Sequence, residues 1–497
     1  MSKLITRRNL LAGLAGGVLS HPLSSRVTIG PLKSQNILDP SELAKFRERL
    51  KGRLILPSDR DYDSARRVAS FNPTSDKHPQ MIVRCLAPED VIQAVSFARD
   101  KALEVAVRSG GHDLLGASVC DGLVIDLSPM KKMHIDRERG TARVEAGIRA
   151  GELNAATQQD GLAAALGCNP AVGVAGLTLG GGLGWFLGKY GAACDHLIGA
   201  DLVTAEGKLL RASATENADL LWALRGGGGN FGIVTALDYQ LHQVDQVLGG
   251  ALAYRVEIER FLRFYRDFMQ TAPDELAVEI NIFLAAQLTV VAIACWSGEP
   301  MEGRRVLRSL RSFGPPIADT IDTVSYAGLT DRLAGLGAFL RQGAPPPEKS
   351  GPGYNYWRGG SLKELSDETV EQMAATAQQA PAGCSIGVGH YMHGQVCRVS
   401  QDATPLRRTA GQFTYFFNAS WNDPRMAEAQ IEWVSRSWAA MQRWSSEATY
   451  INYLSSDNQA AVKASYLQSY DRLTALKRKY DPTNFFHHNR NIRPAPA

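Results

Sequence analysis

Arg108-Ser-Gly-Gly-His-Asp113 sets an imidazole inside a glycine-rich turn, and Glu104-Val-Ala-Val107 just before it reads as a short strand. Glycines let backbone N–H groups approach a diphosphate closely, and a neutral imidazole beside them is a competent nucleophile. So short a pattern is more often an ordinary turn with a solvated histidine. Its company changes the reading. Downstream stand Gly173-Val-Ala-Gly-Leu-Thr-Leu-Gly-Gly-Gly-Leu-Gly-Trp185 and Leu224-Arg-Gly-Gly-Gly-Gly-Asn-Phe-Gly-Ile-Val234. The chain closes with Tyr480-Asp-Pro-Thr-Asn-Phe-Phe486 and Asn489-Arg-Asn-Ile-Arg-Pro494. The Gly180-Gly-Gly-Leu-Gly184 cluster is no P-loop, because Gly-Lys-Ser/Thr is missing. A Rossmann fingerprint would need a leading strand and an acid about twenty residues further on, and Asp195 is too close. A glycine hinge with no ligand stays open as the alternative.

A chain of 497 residues exceeds one small core, so two or three lobes are expected. The 44% hydrophobic and 21% charged content is that of an ordinary soluble globular protein. A net charge of +4 is small at this length, so no nucleic acid and no anionic membrane is implied as a partner. Seven cysteines (85, 120, 168, 194, 295, 384 and 397) show no C-x-x-C pair, and H-E-x-x-H is absent, so no metal site is expected. The odd count leaves at least one thiol free or chemically used, and the sequence does not decide whether Cys85 and Cys120 pair. Thr6-Arg7-Arg8-Asn9-Leu10-Leu11 precedes an apolar stretch to about Leu19 that is too short to span a bilayer. Residues 1–30 therefore read as a twin-arginine export signal, the bland alternative being a basic tail. The export machinery is then a partner and the location periplasmic or secreted; no A-x-A site marks the cleavage point, and no other segment resembles a membrane span.

Pro88-Glu-Asp-Val-Ile-Gln-Ala-Val-Ser-Phe-Ala98 has proline in its first turn and apolar residues at helical spacing. Strands are expected at Leu123–Leu127, Ala142–Ala146 and Ala200–Thr204, giving an α+β domain over 40–244. Composition changes near Leu248–Gly250, where a second domain over 245–440 alternates strands with amphipathic helices. Gln342–Gly353 is a Pro/Gly-rich loop. Ile431, Val434, Trp438 and Met441 form one helical stripe, and residues 441–497 are expected to return to the first domain.

In this order the glycine and C-terminal stretches resemble the FAD-linked oxidases of the berberine bridge enzyme-like family. The resemblance covers nearly the whole chain after about Pro79 and is weakest in the middle third. It implies a two-lobed PCMH-type FAD-binding domain plus a substrate domain with an antiparallel sheet covered by helices. It also implies cofactor contacts from Arg108, Ser109, Gly110, Gly111, His112, Asp113 and Ser118. A second set of contacts would come from Asn169, Val172, Gly173, Gly176, Leu177, Thr178, Gly180, Gly181 and Gly182. Gly232, Ile233 and Val234 would lie near the adenine, and Asn489 and Asn491 by the isoalloxazine. In the family, the histidine matching His112 attacks the flavin 8α-methyl and anchors the cofactor covalently.

Bicovalent members place a cysteine where this chain has Asn169, and Cys168 lies one residue earlier. In an extended segment that offset turns the side chain to the other face, so a single link through His112 is expected. A local bulge would restore Cys168 as a second anchor. Val172 matches a position where a small residue goes with access of oxygen to the flavin.

Thr449-Tyr-Ile-Asn-Tyr-Leu454 resembles the family's Y-x-N-Y stretch, whose second tyrosine, here Tyr453, is the usual catalytic base; if the segment is a strand, Tyr450 and Asn452 face one way and Ile451 and Tyr453 the other. A phenol needs a nearby cation or hydrogen bond to serve as a base at neutral pH. If Gly389-His-Tyr-Met-His-Gly394 is a neighbouring strand, alternation puts Tyr391 and His393 on one face, opposite His390 and Met392. The resemblance implies Tyr391 as the second catalytic group, matching the place where carbohydrate-oxidising relatives keep an acidic or phenolic residue. Tyr354, Tyr356 and Trp357 would make a stacking wall. The resemblance implies a FAD-dependent oxidase that takes hydride from an alcohol carbon of a sugar or glycosylated metabolite and reduces O2 to H2O2. Oxidative ring closure or desaturation of a secondary metabolite is the alternative enzyme reading. A flavin- or ligand-binding exported protein without chemistry is the third, and Tyr453 argues against it.

Overall fold

The computed structural model describes residues 39–284, 287–329, 332–333, 353–455 and 458–496. The segment read as an export signal and nearly all of the Gln342–Gly353 loop lie outside these residues. The chain divides into two compact units, Met1–Ala44 and Lys45–Ala497. Of the first only residues 39–44 are described, where a helix begins at Pro40. All that follows concerns the second.

The unit is α+β and built on three main sheets. The first runs in the order Arg53–Ile55, Met81–Arg84, Leu123–Asp126, Val105–Arg108, with parallel pairing across its last three strands. Parallel pairing needs a crossover, supplied by the helix Pro88–Asp100 that buries Val91, Ala94, Val95 and Ala98. Asp90 sits in its first turn, and its carboxylate accepts from the backbone N–H groups of Lys51 (2.6 Å), Leu86 (2.8 Å) and Gly52 (3.1 Å). Val105–Arg108 is an edge strand whose carboxyl end delivers the Gly110-Gly-His112 turn, the end at which parallel sheets bind ligands.

The second sheet is antiparallel, in the order Met133–Asp136, Thr141–Glu145, Ile233–Gln240, Leu197–Val203, Leu209–Ser213. After Gln240 the chain passes into Gln246–Tyr254, the first strand of an eight-stranded antiparallel sheet. Beside it Leu288–Trp296, Leu276–Leu284, Cys384–Gly389, Phe413–Trp421 and Tyr354–Leu362 follow in order, the last forming an edge. One face is covered by the helices Ile258–Gln270, Asp367–Gln378 and Ala427–Met441, which pack on Val278, Ile280, Ile386, Tyr415 and Phe417. Because strand side chains alternate, the same strands turn Glu279, Asn281, Ser385, Phe416, Asn418 and Trp357 to the other face, into a cleft.

Two expected strands are not strands. Ile451–Tyr453 is a single 3₁₀ turn, held where the Tyr450 hydroxyl accepts hydrogen bonds from Gly182 N–H and Asn452 Nδ2 (2.9 Å each). The sheet also ends at Gly389, because His390 adopts a left-handed backbone (φ +43°) that turns the chain out of the pleat. The helical stripe is present in Ala427–Met441, and the C-terminal residues pack against the N-terminal half through Tyr480–Asp219 (2.9 Å) and His488–Glu104 (3.0 Å). All seven cysteines are free thiols. Among the described residues no helix is long and apolar enough to cross a membrane.

Candidate active site

The cleft has a volume of about 750 Å³ and runs from the Gly110–His112 turn to the open face of the large sheet. At the turn, the Ser109 hydroxyl donates to the Ala146 carbonyl (2.6 Å). A Cβ on Gly110 would lie 2.6 Å from Gly173 Cα, so this turn and the Gly173 segment touch backbone to backbone and only glycine fits. Asp113 accepts from the N–H groups of Leu115 and Ala117 (2.9 Å each) and pairs with Arg490, whose guanidinium also donates to the Leu454 carbonyl (3.2 Å). One ion pair thus ties the turn to the C-terminus and to the segment carrying Tyr453. Burial, reinforced by the charge of Arg149, holds the His112 imidazole below its usual pKa, which keeps it neutral at physiological pH.

Of the residues expected to hold cofactor, Ser109 to Asp113, Ser118, Asn169, Val172, Gly173, Gly176, Leu177, Gly232 to Val234 and Asn489 all line this cleft. Arg108, Thr178, Gly180, Gly181, Gly182 and Asn491 do not. Arg108 turns away to donate to the Ala65 and Arg66 carbonyls, and Thr178 is hydrogen-bonded to the buried Tyr239 hydroxyl (2.7 Å). Gly180–Gly182 form the floor on which Tyr450 and Asn452 rest. Asn491 packs behind the wall, where its carbonyl accepts from Gln459 (2.9 Å). Gly228, Gly229 and Asn230 line the cleft as well.

This half of the cleft fits a flavin dinucleotide. Gly176 and Gly229 line it, and a Cβ on either would meet nothing within 4 Å, so each leaves unfilled space beside exposed backbone. The Ser118 hydroxyl and the Asn489 Oδ1 are buried in its wall without a hydrogen-bond partner among the described residues. Bound there, FAD supplies a two-electron acceptor.

The opposite half holds the substrate-side groups. Tyr453 lines it, its ring 4.8 Å from Trp357 and 5.2 Å from Tyr450. Its hydroxyl has no hydrogen-bond partner among the described residues, and burial pushes its pKa well up, assisted by the Glu279 carboxylate. Tyr391 is not in the cleft: its ring packs on Phe413 (4.5 Å) in the sheet–helix core, and His390 takes the position in its stead. His393 is spent on the carbonyls of Tyr391 (3.0 Å) and Pro273 (3.2 Å). Of the three aromatics expected to form a wall only Trp357 does so, stacked on Phe416 at 5.1 Å; Tyr354 stacks on Phe71 and Trp421 away from the cleft.

Cys168 faces the cleft as Asn169 does, because residues 164–169 are irregular and the alternation argument does not apply to them. Its thiol donates to Glu279 Oε1 (3.3 Å), and burial with that negative neighbour keeps it protonated. His390 Nδ1 lies 3.1 Å from the same oxygen. These sulfur, oxygen and nitrogen atoms all lie within 4.8 Å of one another. Glu279, Asn281 and Asn418 escaped the sequence reading although a signal existed. Each is a polar residue in a largely apolar strand, Glu279 and Asn281 at alternate positions of Ala277-Val-Glu-Ile-Asn-Ile-Phe283 and Asn418 in Phe413-Thr-Tyr-Phe-Phe-Asn-Ala419.

A glycine cradle facing an aromatic and amide wall across one cleft defines a flavin-dependent oxidoreductase for a small molecule. The family profile for an FAD binding domain matches residues 79–213, and the one described as berberine and berberine-like matches residues 449–493. (R)-6-Hydroxynicotine oxidase of Paenarthrobacter nicotinovorans is 30% identical over 90% of this chain and 97% of its own. The uncharacterized FAD-linked oxidoreductase YgaK of Bacillus subtilis is 27% identical over 90% and 98%. The crystal structure of 6-hydroxy-D-nicotine oxidase from Arthrobacter nicotinovorans superposes with a TM-score of 0.80 at 28% identity, covering 90% of this chain and 98% of that one. Chitooligosaccharide oxidase, at 22% identity and a TM-score of 0.75 over 91% and 100%, shares the fold. The chain belongs to the berberine bridge enzyme-like family of FAD-linked oxidoreductases.

Proposed function

We propose that this protein is an oxidase that removes hydride from an alcohol carbon of a sugar or glycosylated metabolite and passes the electrons to O2, giving H2O2. The observation that carries this reading is the composition of the sheet-side wall. Trp357 stacked on Phe416 offers a flat apolar face, and Asn281, Asn355 and Asn418 stand beside it. Asn355 and Asn418 are linked to each other (2.7 Å), which fixes which amide atoms remain to meet substrate hydroxyls. A neutral ring edged with hydroxyl groups matches such a surface. Val172, small and in the cleft wall, supports oxygen as acceptor.

The cofactor is held by one covalent bond, through His112. Its neutral imidazole is the nucleophile, whereas the Cys168 thiol keeps its proton and is engaged with Glu279. The residues read as a twin-arginine signal direct the folded enzyme to the periplasm or beyond. A cationic amine is the second substrate class, favoured by the Glu279 carboxylate in the cleft.

The test is oxygen uptake and peroxide formation on a panel of mono- and oligosaccharides beside cyclic amines. Flavin retention after acid denaturation is measured in parallel for wild type, His112→Ala and Cys168→Ala. Turnover with saccharides, and flavin lost only from His112→Ala, support the reading. Turnover with amines alone transfers it to the second class, and no peroxide with any compound refutes it.

A further inference from the structure

We propose that His390, held by Glu279, is the group that accepts the substrate proton, and that Tyr453 positions the substrate without taking that proton. The inference rests on the alcohol-oxidase reading above and deepens it. Three observations converge on it.

The first concerns Tyr453. A phenol serves as a base only where a cation or donor stabilises its phenolate. The Tyr453 hydroxyl has no such donor among the described residues, and the charged group beside it is the carboxylate of Glu279, which disfavours a second negative charge. Its neighbour Tyr450 does receive two donors, from Gly182 N–H and Asn452 Nδ2, but both serve to fix the Ile451–Tyr453 turn.

The second is the arrangement of His390. Its Nδ1 lies 3.1 Å from Glu279 Oε1, and a carboxylate only accepts, so Nδ1 carries a hydrogen; in the neutral ring the lone pair is then on Nε2. Nε2 has no hydrogen-bond partner among the described residues, and the ring lines the cleft 6.1 Å from that of Tyr453. A base oriented by a third group is the recurring architecture of general-base catalysis. The Cys168 thiol, which donates to the same carboxylate oxygen, completes its orientation from the other side.

The third is the backbone. His390 has φ +43°, a left-handed conformation that costs an L-residue energy and accumulates at functional sites. Here it has one visible consequence: it breaks the strand alternation at Gly389, sending Tyr391 into the core and the imidazole of His390 into the cleft.

In the step assigned, the substrate O–H bond breaks and its proton moves to Nε2. The C–H electron pair leaves as hydride to the FAD that the family activity supplies, and the carbon–oxygen bond becomes double. The imidazolium, paired with Glu279, then returns its proton to solvent.

The experiment compares wild type, His390→Ala, Glu279→Gln and Tyr453→Phe holoenzymes. Anaerobic single-turnover flavin reduction is followed with the substrate found in the screen. His390→Ala is expected to lower the reduction rate by about 10²- to 10⁴-fold, with substrate affinity little changed and the rate partly restored by added imidazole. Tyr453→Phe is expected to weaken substrate affinity while reducing the rate by less than about 10-fold, with no response to imidazole. Glu279→Gln lies between. Loss of the rate in Tyr453→Phe, with His390→Ala unaffected, overturns the assignment.

A second readout needs no substrate. In long-range ¹H–¹⁵N spectra of the oxidised protein, the His390 signal, assigned by its loss in His390→Ala, should show protonated Nδ1 and bare Nε2. In Glu279→Gln that tautomer preference should weaken. An Nε2–H tautomer in wild type overturns the proposal whatever the substrate proves to be. A correct tautomer with no alcohol oxidised would instead count against the substrate reading.

Discussion

Replacing Asp481 by leucine should destabilise this protein by about 4 kcal/mol and loosen the wall of its flavin cleft. Asp481 and Lys477 form an ion pair at 2.7 Å with both side chains wholly out of solvent. The carboxylate also accepts from the N–H groups of Phe485 and Phe486 (2.8 Å each), and the ammonium donates to the Asn230 (2.8 Å) and Phe486 (2.9 Å) carbonyls. Leucine removes three charge-assisted bonds at once and leaves a buried ammonium with two carbonyls. Breaking a buried pair by removing one partner costs about 3–5 kcal/mol. Lys477→Met should cost less, about 3 kcal/mol, because Asp481 keeps its two backbone donors. In the double variant neither charge is stranded. Its loss should therefore fall short of the sum of the single losses by about 2 kcal/mol or more. Equilibrium urea unfolding followed by tryptophan fluorescence measures all three differences. A thermal shift of about 4 °C is expected alongside for Asp481→Leu, since a unit of this length unfolds with an entropy of about 1 kcal/mol/K. Flavin content should drop too, since Asn230 and Phe486 both line the cleft. Single variants within about 1 kcal/mol of wild type, or losses that simply add, would refute the reasoning.

Four further outcomes are expected. Gly173→Ala places a Cβ 2.5 Å from the Ser109 hydroxyl and should lower both flavin content and melting temperature. Gly229→Ala, whose Cβ meets nothing within 4 Å, should lower flavin content alone, as the visible-to-ultraviolet absorbance ratio of purified protein would show. Trp357→Ala removes the stacked face against Phe416 and should raise KM by roughly 10-fold while changing kcat by less than about 3-fold in steady-state oxygen uptake. Burial, with His196 and Lys189 adding to it, holds His242 down at about 4. The unfolded chain, with its histidine near 6.5, then binds the proton first as pH falls. This contribution is therefore present above about pH 6.5 and lost on the way down to about 4. Urea midpoints of wild type should fall across that window more steeply than those of His242→Phe, which keeps the ring stacked on Tyr190 (3.8 Å).

Much of the flavin side was legible because its signals are local. A glycine where two backbones touch, as at Gly110 and Gly173, is demanded by the residue itself, and His112 follows its strand by a fixed few residues. Proline and periodic apolar residues marked the helix Pro88–Asp100 for the same reason. The substrate side was less legible. Its reading assumed that Tyr450–Tyr453 and Gly389–Gly394 continue as strands, and a 3₁₀ turn at the first and the left-handed His390 at the second defeat that assumption.

The sequence by itself determined the family, the glycine cradle, the place of His112 and the α+β order of elements, because turns, caps and periodicity are short-range properties of the chain. Only the tertiary structure decided that His390 and not Tyr391 enters the cleft, and that Cys168 lies beside Glu279, 111 residues away in sequence. Only it left Tyr453, among the described residues, without a donor to stabilise its phenolate. Which way a side chain points where a strand ends, and which charges then surround it, depend on contacts between segments that sequence spacing does not encode.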